Sequence, residues 1–197
     1  MKKWYIFTTV LLTSCLDCDY DLSIPNTYRS FLHNYTIGDT IYFESNRNDV
    51  DTMLIMSYDT LENCAGVMVA PRKLLEYKIR HLPKNNWSAG AELDQNGNKT
   101  ILNQKLVVIE KDVTSKDSFW LYVHYRDFGG EVVDFNNKVH DSVFQDLGVS
   151  EYWVISKSNY YRDSVIPRNL IHKVYWSESY GLTGYKYGNG EMYRIKK

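Results

Sequence analysis

His124 is the histidine with the most chemistry around it. It stands in Tyr122-Val-His-Tyr-Arg-Asp127, so a cation and a carboxylate lie within three residues of a titratable ring. On a strand, side chains alternate between faces, and positions 124 and 127 point to opposite sides. The spacing predicts a neutral, partly exposed histidine rather than an oriented general base. His33, His81, His140 and His172 are scattered. Glu76, Glu92, Glu110, Asp127 and Glu131 offer carboxylates. A glycosidase needs two of them at a fixed separation across a cleft, and nothing in their spacing pairs any two. The chain has no His-Glu-x-x-His, no Gly-x-Ser-x-Gly, no phosphate-cradling glycine loop and no EF-hand spacing. No catalytic residue, metal site or cofactor is expected.

The denser signal is aromatic. Tyr152, Trp153, Tyr175, Trp176, Tyr185, Tyr187 and Tyr193 crowd the C-terminal part of the chain. Rings bury much area at low entropic cost, and they can form a stacking platform for a sugar or a sticky face for a protein. These seven are the candidate ligand platform. The competing reading puts half of them in the core and half on the outside of a sheet.

The N-terminus carries chemistry of another kind. Lys2 and Lys3 precede the apolar run Trp4–Leu12, which has the positive and apolar regions of an export signal. The run is too short for a bilayer span, which takes roughly 20 residues. Small Thr13 and Ser14 lead to Cys15. Leu12-Thr-Ser-Cys15 resembles the lipobox of bacterial lipoproteins. That resemblance implies that residues 1–14 are removed as a signal peptide and that Cys15 is acylated, with palmitate-type chains, on sulfur and nitrogen. Two or more acyl chains give stable anchoring, at ~0.8 kcal/mol per buried methylene. Leu16 after the cysteine implies the outer membrane. Asp17-Cys-Asp-Tyr-Asp21 resembles, loosely, the surface-export signal of Bacteroidota lipoproteins, and it equally suits a solvated tether facing the periplasm. The remaining cysteines, Cys18 and Cys64, form a candidate disulfide in an oxidising compartment.

Behind these residues must stand a β-rich scaffold. The chain has 197 residues, 15% aromatic, with 17 tyrosines; Tyr suits pleated, half-buried surfaces. Net charge is −1 and becomes more acidic once Lys2 and Lys3 are lost. There is no basic stripe, so nucleic acid is not an expected partner. Residues 15–30 read as a lipidated leader and 31–197 as one domain. Tyr35–Ser45 and Asp51–Tyr58 read as a first hairpin about Asn46–Asp49. Over Pro71–Pro83, Leu74, Leu75, Ile79 and Leu82 recur near helical spacing, which predicts a helix; a strand through Leu75–Ile79 is the alternative. Asp94-Gln-Asn-Gly-Asn-Lys99 is a turn. Strands follow over Ile101–Glu110 and Ser118–Tyr125, and Gly129-Gly130 breaks the pattern. Val139, Val143, Phe144 and Leu147 suit a short helix ended by Gly148. Tyr152–Ser156 and Ile171–Trp176 are strands. Gly181–Tyr187 and Glu191–Ile195 form a terminal hairpin on Gly188-Asn-Gly190. The expected fold is mainly β, an antiparallel sandwich or open barrel-like sheet with one or two short helices.

The ending, Tyr175-Trp-Ser-Glu-Ser-Tyr-Gly-Leu through Gly188-Asn-Gly-Glu-Met-Tyr193, resembles the close of small Bacteroidota-type lipoproteins. Residues 35–55 resemble the first strand pair of the same proteins. The resemblance implies location and fold style, and no catalytic residues. Asp followed by Ser or Thr and an apolar residue recurs at Thr40, Thr52, Thr60, Ser142 and Ser164. This is similar to the O-glycosylation motif of that phylum, although a strand leaving a turn has the same pattern. Together these readings predict a lipid-anchored envelope protein acting as a non-enzymatic binding or interaction module for a protein or a glycan. A toxin-immunity lipoprotein is one version. An envelope hydrolase acting on polysaccharide or peptide is the alternative.

Overall fold

A computed structural model describes residues 23–29, 31, 35–63, 72–81, 91–93, 99–101, 104–112, 119–132, 137–156 and 168–196. A short helix, α1 (Asn26–Arg29), precedes twelve strands: β1 (Thr40–Ser45), β2 (Val50–Asn63), β3 (Arg72–His81), β4 (Ala91–Leu93), β5 (Lys99–Ile101), β6 (Gln104–Asp112), β7 (Phe119–Tyr125), β8 (Phe128–Glu131), β9 (Trp153–Ser156), β10 (Ile171–Ser177), β11 (Gly181–Tyr187) and β12 (Met192–Ile195). Ten form one antiparallel sheet in the order β8-β7-β6-β3-β2-β1-β12-β11-β10-β9, and β4 and β5 pair separately. Neighbours in this sheet are neighbours in sequence, apart from the β4–β5 excursion and the joining of β12 to β1. The register Phe43↔Ile195, Glu44↔Arg194, Ser45↔Tyr193 makes that joint. The result is an up-and-down barrel whose open seam runs between β8 and β9. The seam is narrow, because a Cβ on Gly130 of β8 would stand 2.8 Å from the Ile155 methyl of β9.

Alternation explains the interior. Phe43 on β1, Met53 and Ile55 on β2, Ile79 on β3, Val123 on β7 and Val174 on β10 are all fully buried. Each flanks a more exposed neighbour on the outer face, the period-two pattern of a strand with one covered side. Large rings fill the barrel between them. Phe31 lies 4.8 Å from Trp153 and 5.5 Å from Trp176, measured between ring centroids. Phe43 sits edge-on to both Tyr125 and Tyr185.

The N-terminal segment closes the lower end. Ile24 and Phe31 are buried in the core, the buried Lys111 ammonium donates to the Ser23 carbonyl, and Tyr77 Oη donates to the Tyr35 carbonyl. The packed domain therefore begins by Ser23, inside the stretch the sequence assigned to the leader. A second, outer cluster comes from residues 137–152. There a 3₁₀ turn, Gln145–Leu147, ends at Gly148 as expected. Phe144 packs edge-on to Tyr152 and Tyr175 on the outside of the sheet.

Two expectations are corrected. Residues 72–81 are a strand and not a helix. Leu75, Tyr77 and Ile79 point inward while Glu76 and Lys78 point out, and β3 is hydrogen-bonded along both sides, to β2 and β6. The Leu74-Leu75 pair imitates a helical stripe, but two flanking strands that need partners override it. Gly129 and Gly130 continue the pattern, as part of β8. The break comes earlier, at the two-residue turn Arg126-Asp127. The terminal hairpin, the first hairpin and the β6–β7 pair stand where the sequence places them. The turn signal at 94–99 falls between the paired β4 and β5.

Candidate functional site

Charge collects at the upper end of the barrel, opposite the N-terminal segment. Asp51, the second residue of β2, points inward and is buried. Its Oδ2 accepts hydrogen bonds from Tyr125 Oη and Tyr185 Oη, both at 2.6 Å. Its Oδ1 accepts from Arg126 Nη2, and Arg126 Nη1 donates to Tyr187 Oη at 3.2 Å. The sheet brings these residues together across long sequence distances. β7 presents Tyr125, the β7–β8 turn presents Arg126, and β11 presents Tyr185 and Tyr187. Arg126 takes a left-handed conformation, with φ 54°, which a non-glycine residue adopts only when its surroundings hold it there. Asp127 beside it accepts from the Ile171 N–H at 3.2 Å, tying the same turn to β10.

The electrostatics fix structure rather than prepare a reaction. Burial pushes the phenols of Tyr125 and Tyr185 well above their ordinary value, and the Asp51 charge adds to the effect. Burial alone would lower the Arg126 guanidinium; Asp51 outweighs it and holds the cation. A carboxylate accepting three hydrogen bonds, two phenolic and one from a cation, is a poor base, and phenols held neutral are poor nucleophiles.

These shifts set an alkaline limit. Burial also raises Tyr35, the lower-end tyrosine, and it pushes Tyr193 up to about 12. Unfolded tyrosine ionises near pH ~10. Above that pH the unfolded chain releases protons that the folded chain keeps, so the folded state binds more protons and stability falls as pH rises. Each shielded tyrosine contributes a slope of about 1.4 kcal/mol per pH unit. Ionisation of these buried tyrosines should therefore come only together with unfolding. Reversible ionisation of Tyr125, Tyr185 and Tyr35 near pH 10 with the fold intact would contradict this.

The residues singled out from sequence are distributed as follows. Of the seven platform aromatics, five are buried and present no surface. Trp153, Trp176 and Tyr185 fill the barrel, while Tyr152 and Tyr175 build the outer cluster. Consecutive aromatics on a two-faced sheet point alternately into two separate cores, which sequence density alone does not distinguish from a platform. Tyr187 and Tyr193 are half-buried and belong to the upper cluster, with Tyr193 stacked on Tyr185 at 4.8 Å. His124 is half-buried on the outer face, its pKa lowered by burial and by Lys105, and Asp127 is engaged elsewhere. His172 is likewise lowered, first by burial. Only the backbone of His81 is described. His140 is exposed beside Glu151. Glu76 is buried between Lys105, at 2.7 Å, and Lys78, at 3.3 Å. Thr60 and Ser142 are exposed, and Thr40 and Thr52 are half-buried in strands. Cys15, Cys18, Cys64, Ser164, His33 and the side chain of Glu92 lie outside the described residues. Among the described residues, no group of three His, Cys, Asp or Glu could hold a metal, and no helix is long and apolar enough to cross a membrane.

Sequence reasoning missed the Asp51–Arg126–Tyr125–Tyr185 cluster. Its one available signal was a charged residue at an inward position, since Asp51 shares the face of Met53 and Ile55. Comparison with protein-family models, with curated proteins and with solved structures finds no match to this chain.

Proposed function

We propose that this chain is a lipid-anchored protein of the bacterial cell envelope, held in the outer membrane through Cys15, whose barrel serves as a binding module for a glycan or protein. The observation that carries the reading is the order of its first fifteen residues: a basic start, an apolar run and Leu12-Thr-Ser-Cys15. The way the domain begins supports it. Ser23 and Ile24 are fixed at the lower end, and the eight peptide units from Cys15 to Ser23 reach at most about 29 Å at full extension. A lipid on Cys15 would keep the lower end near the bilayer and turn the upper end away from it. The buried Asp51 cluster, whose groups are held in unreactive states, favours binding over catalysis.

The test is the fate of Cys15. The native protein should partition with membranes, and its amino-terminal peptide should begin at an acylated Cys15. Cys15→Ser should abolish the acyl mass and move most of the protein into the soluble fraction. An unmodified amino terminus, or processing at another bond, would overturn the reading.

A further inference from the structure

Three connections meet at the upper end and are bonded to one another. Asn46 N–H donates to the Met192 carbonyl at 3.0 Å, and Met192 N–H donates back to Asn46 Oδ1 at 3.3 Å. Gly188 N–H donates to the Leu170 carbonyl and Asn189 N–H to the Arg168 carbonyl, both at 3.0 Å. The β1–β2 turn, the approach to β10 and the β11–β12 turn thus form one cross-linked rim. Between them lies an open groove of about 680 Å³, lined by Arg47, Arg168, Asn169, Gly188 and Asn189. The groove is shallow and open to solvent, so polar contacts from the rim, rather than enclosure, must supply its recognition.

The lining is cationic and rich in donors. The Arg47 side chain is 56% exposed, and its nearest carboxylate, Glu191, stands 3.6 Å away and is itself mostly buried. Asp49 stands two residues further along the same turn. Arg168 is exposed and has no ion pair among the described residues. Asn169 adds an exposed amide. Guanidinium groups recognise oxyanions through paired, directional N–H donors, and an amide beside them suits hydroxyl groups. Beneath this rim, the Asp51–Arg126–Tyr187 bonds tie together the ends of β2, β7 and β11, which holds the backbone of the rim, while the exposed Arg47 and Arg168 side chains are ordered on binding.

From this rim we infer that the groove binds an acidic saccharide, with Arg47 and Arg168 taking its carboxylate or sulfate groups and Asn169 a neighbouring hydroxyl. The inference rests on the binding reading above and names its ligand class. The test uses the full chain in non-ionic detergent, titrated at low salt with an oligogalacturonate, with a neutral oligogalactoside of the same length, and with inorganic phosphate. The oligogalacturonate should bind, and its affinity should fall as salt is added. The double variant Arg47→Gln/Arg168→Gln should weaken it at least tenfold. Both side chains are exposed, so the variant should keep the parent melting temperature. Equal binding by the double variant, equal binding of the neutral sugar, phosphate binding as tight as the saccharide, or no saccharide binding at all would each overturn the assignment. The anchor is read separately, by the mass of the amino-terminal peptide. A lipidated protein that ignores every probe overturns the groove alone, and an unlipidated protein that binds the uronate overturns the anchor alone.

Discussion

Asp51→Ala is expected to lower folding stability by about 3–5 kcal/mol, the cost of leaving one partner of a buried ion pair uncompensated. The loss would take a large share of the ~5–15 kcal/mol that holds a domain of this kind together. Three donors converge on the Asp51 carboxylate, two of them phenols at 2.6 Å. Removing it takes the carboxylate away from the Arg126 cation and from two buried hydroxyls. Asp51→Asn keeps the volume but turns an amide N–H₂ toward donors, so it should cost nearly as much. Tyr125→Phe or Tyr185→Phe removes one hydrogen bond to a charged group and should cost about 1.5–3 kcal/mol. Denaturant unfolding followed by tryptophan fluorescence reads all four, because Trp153 and Trp176 are buried. If Arg126→Met restores much of the stability lost in Asp51→Ala, the penalty lies in the stranded cation and not in the lost carboxylate. A loss below 1 kcal/mol for Asp51→Ala would show that solvent, rather than these partners, satisfies the pair.

The sequence reveals the scaffold better than it reveals this cluster, for a physical reason. Strand signals are local. Alternation in Phe119–Tyr125 and the Gly188-Asn-Gly turn are decided within a few residues, and the corresponding hairpins form where they are read. The helix expected at 71–83 fails because local spacing cannot register that β2 and β6 both need β3 as a partner. The buried cluster is less legible still. Asp51, Arg126 and Tyr185 are far apart in the chain, and only closure of the sheet through β1 and β12 places them at one end. The aromatic platform fails by the same logic. Crowding in sequence measures how many rings there are, whereas the sheet decides that Trp176 faces the barrel and Tyr175 the outer cluster.

The corner at the lower end joins the two segments that the sequence singles out together, residues 35–55 and 175–193, and it carries the second large effect. Gly181 opens β11 with φ 66°. The Tyr35 hydroxyl accepts the Leu182 N–H at 2.6 Å, so the phenol ring lies directly over the glycine. A Cβ at position 181 would stand 2.3 Å from Tyr35 Oη and 2.6 Å from its Cζ. Gly181→Ala therefore meets two costs, about 1–2 kcal/mol for a left-handed alanine and about 1–3 kcal/mol for overpacking a filled site. Gly190→Ala separates them. Gly190 has φ 87° but open space where the methyl would go, so it should show the backbone cost alone. Gly181→Ala should exceed it by the packing cost. The strain has an outlet, because Tyr35 belongs to the N-terminal segment that closes the barrel's lower end. If that segment yields before the barrel does, proteolysis within residues 23–37 should accelerate in Gly181→Ala and stay unchanged in Gly190→Ala. Equal destabilisation by the two substitutions, with no change in cleavage, would mean that Tyr35 does not bear on the corner.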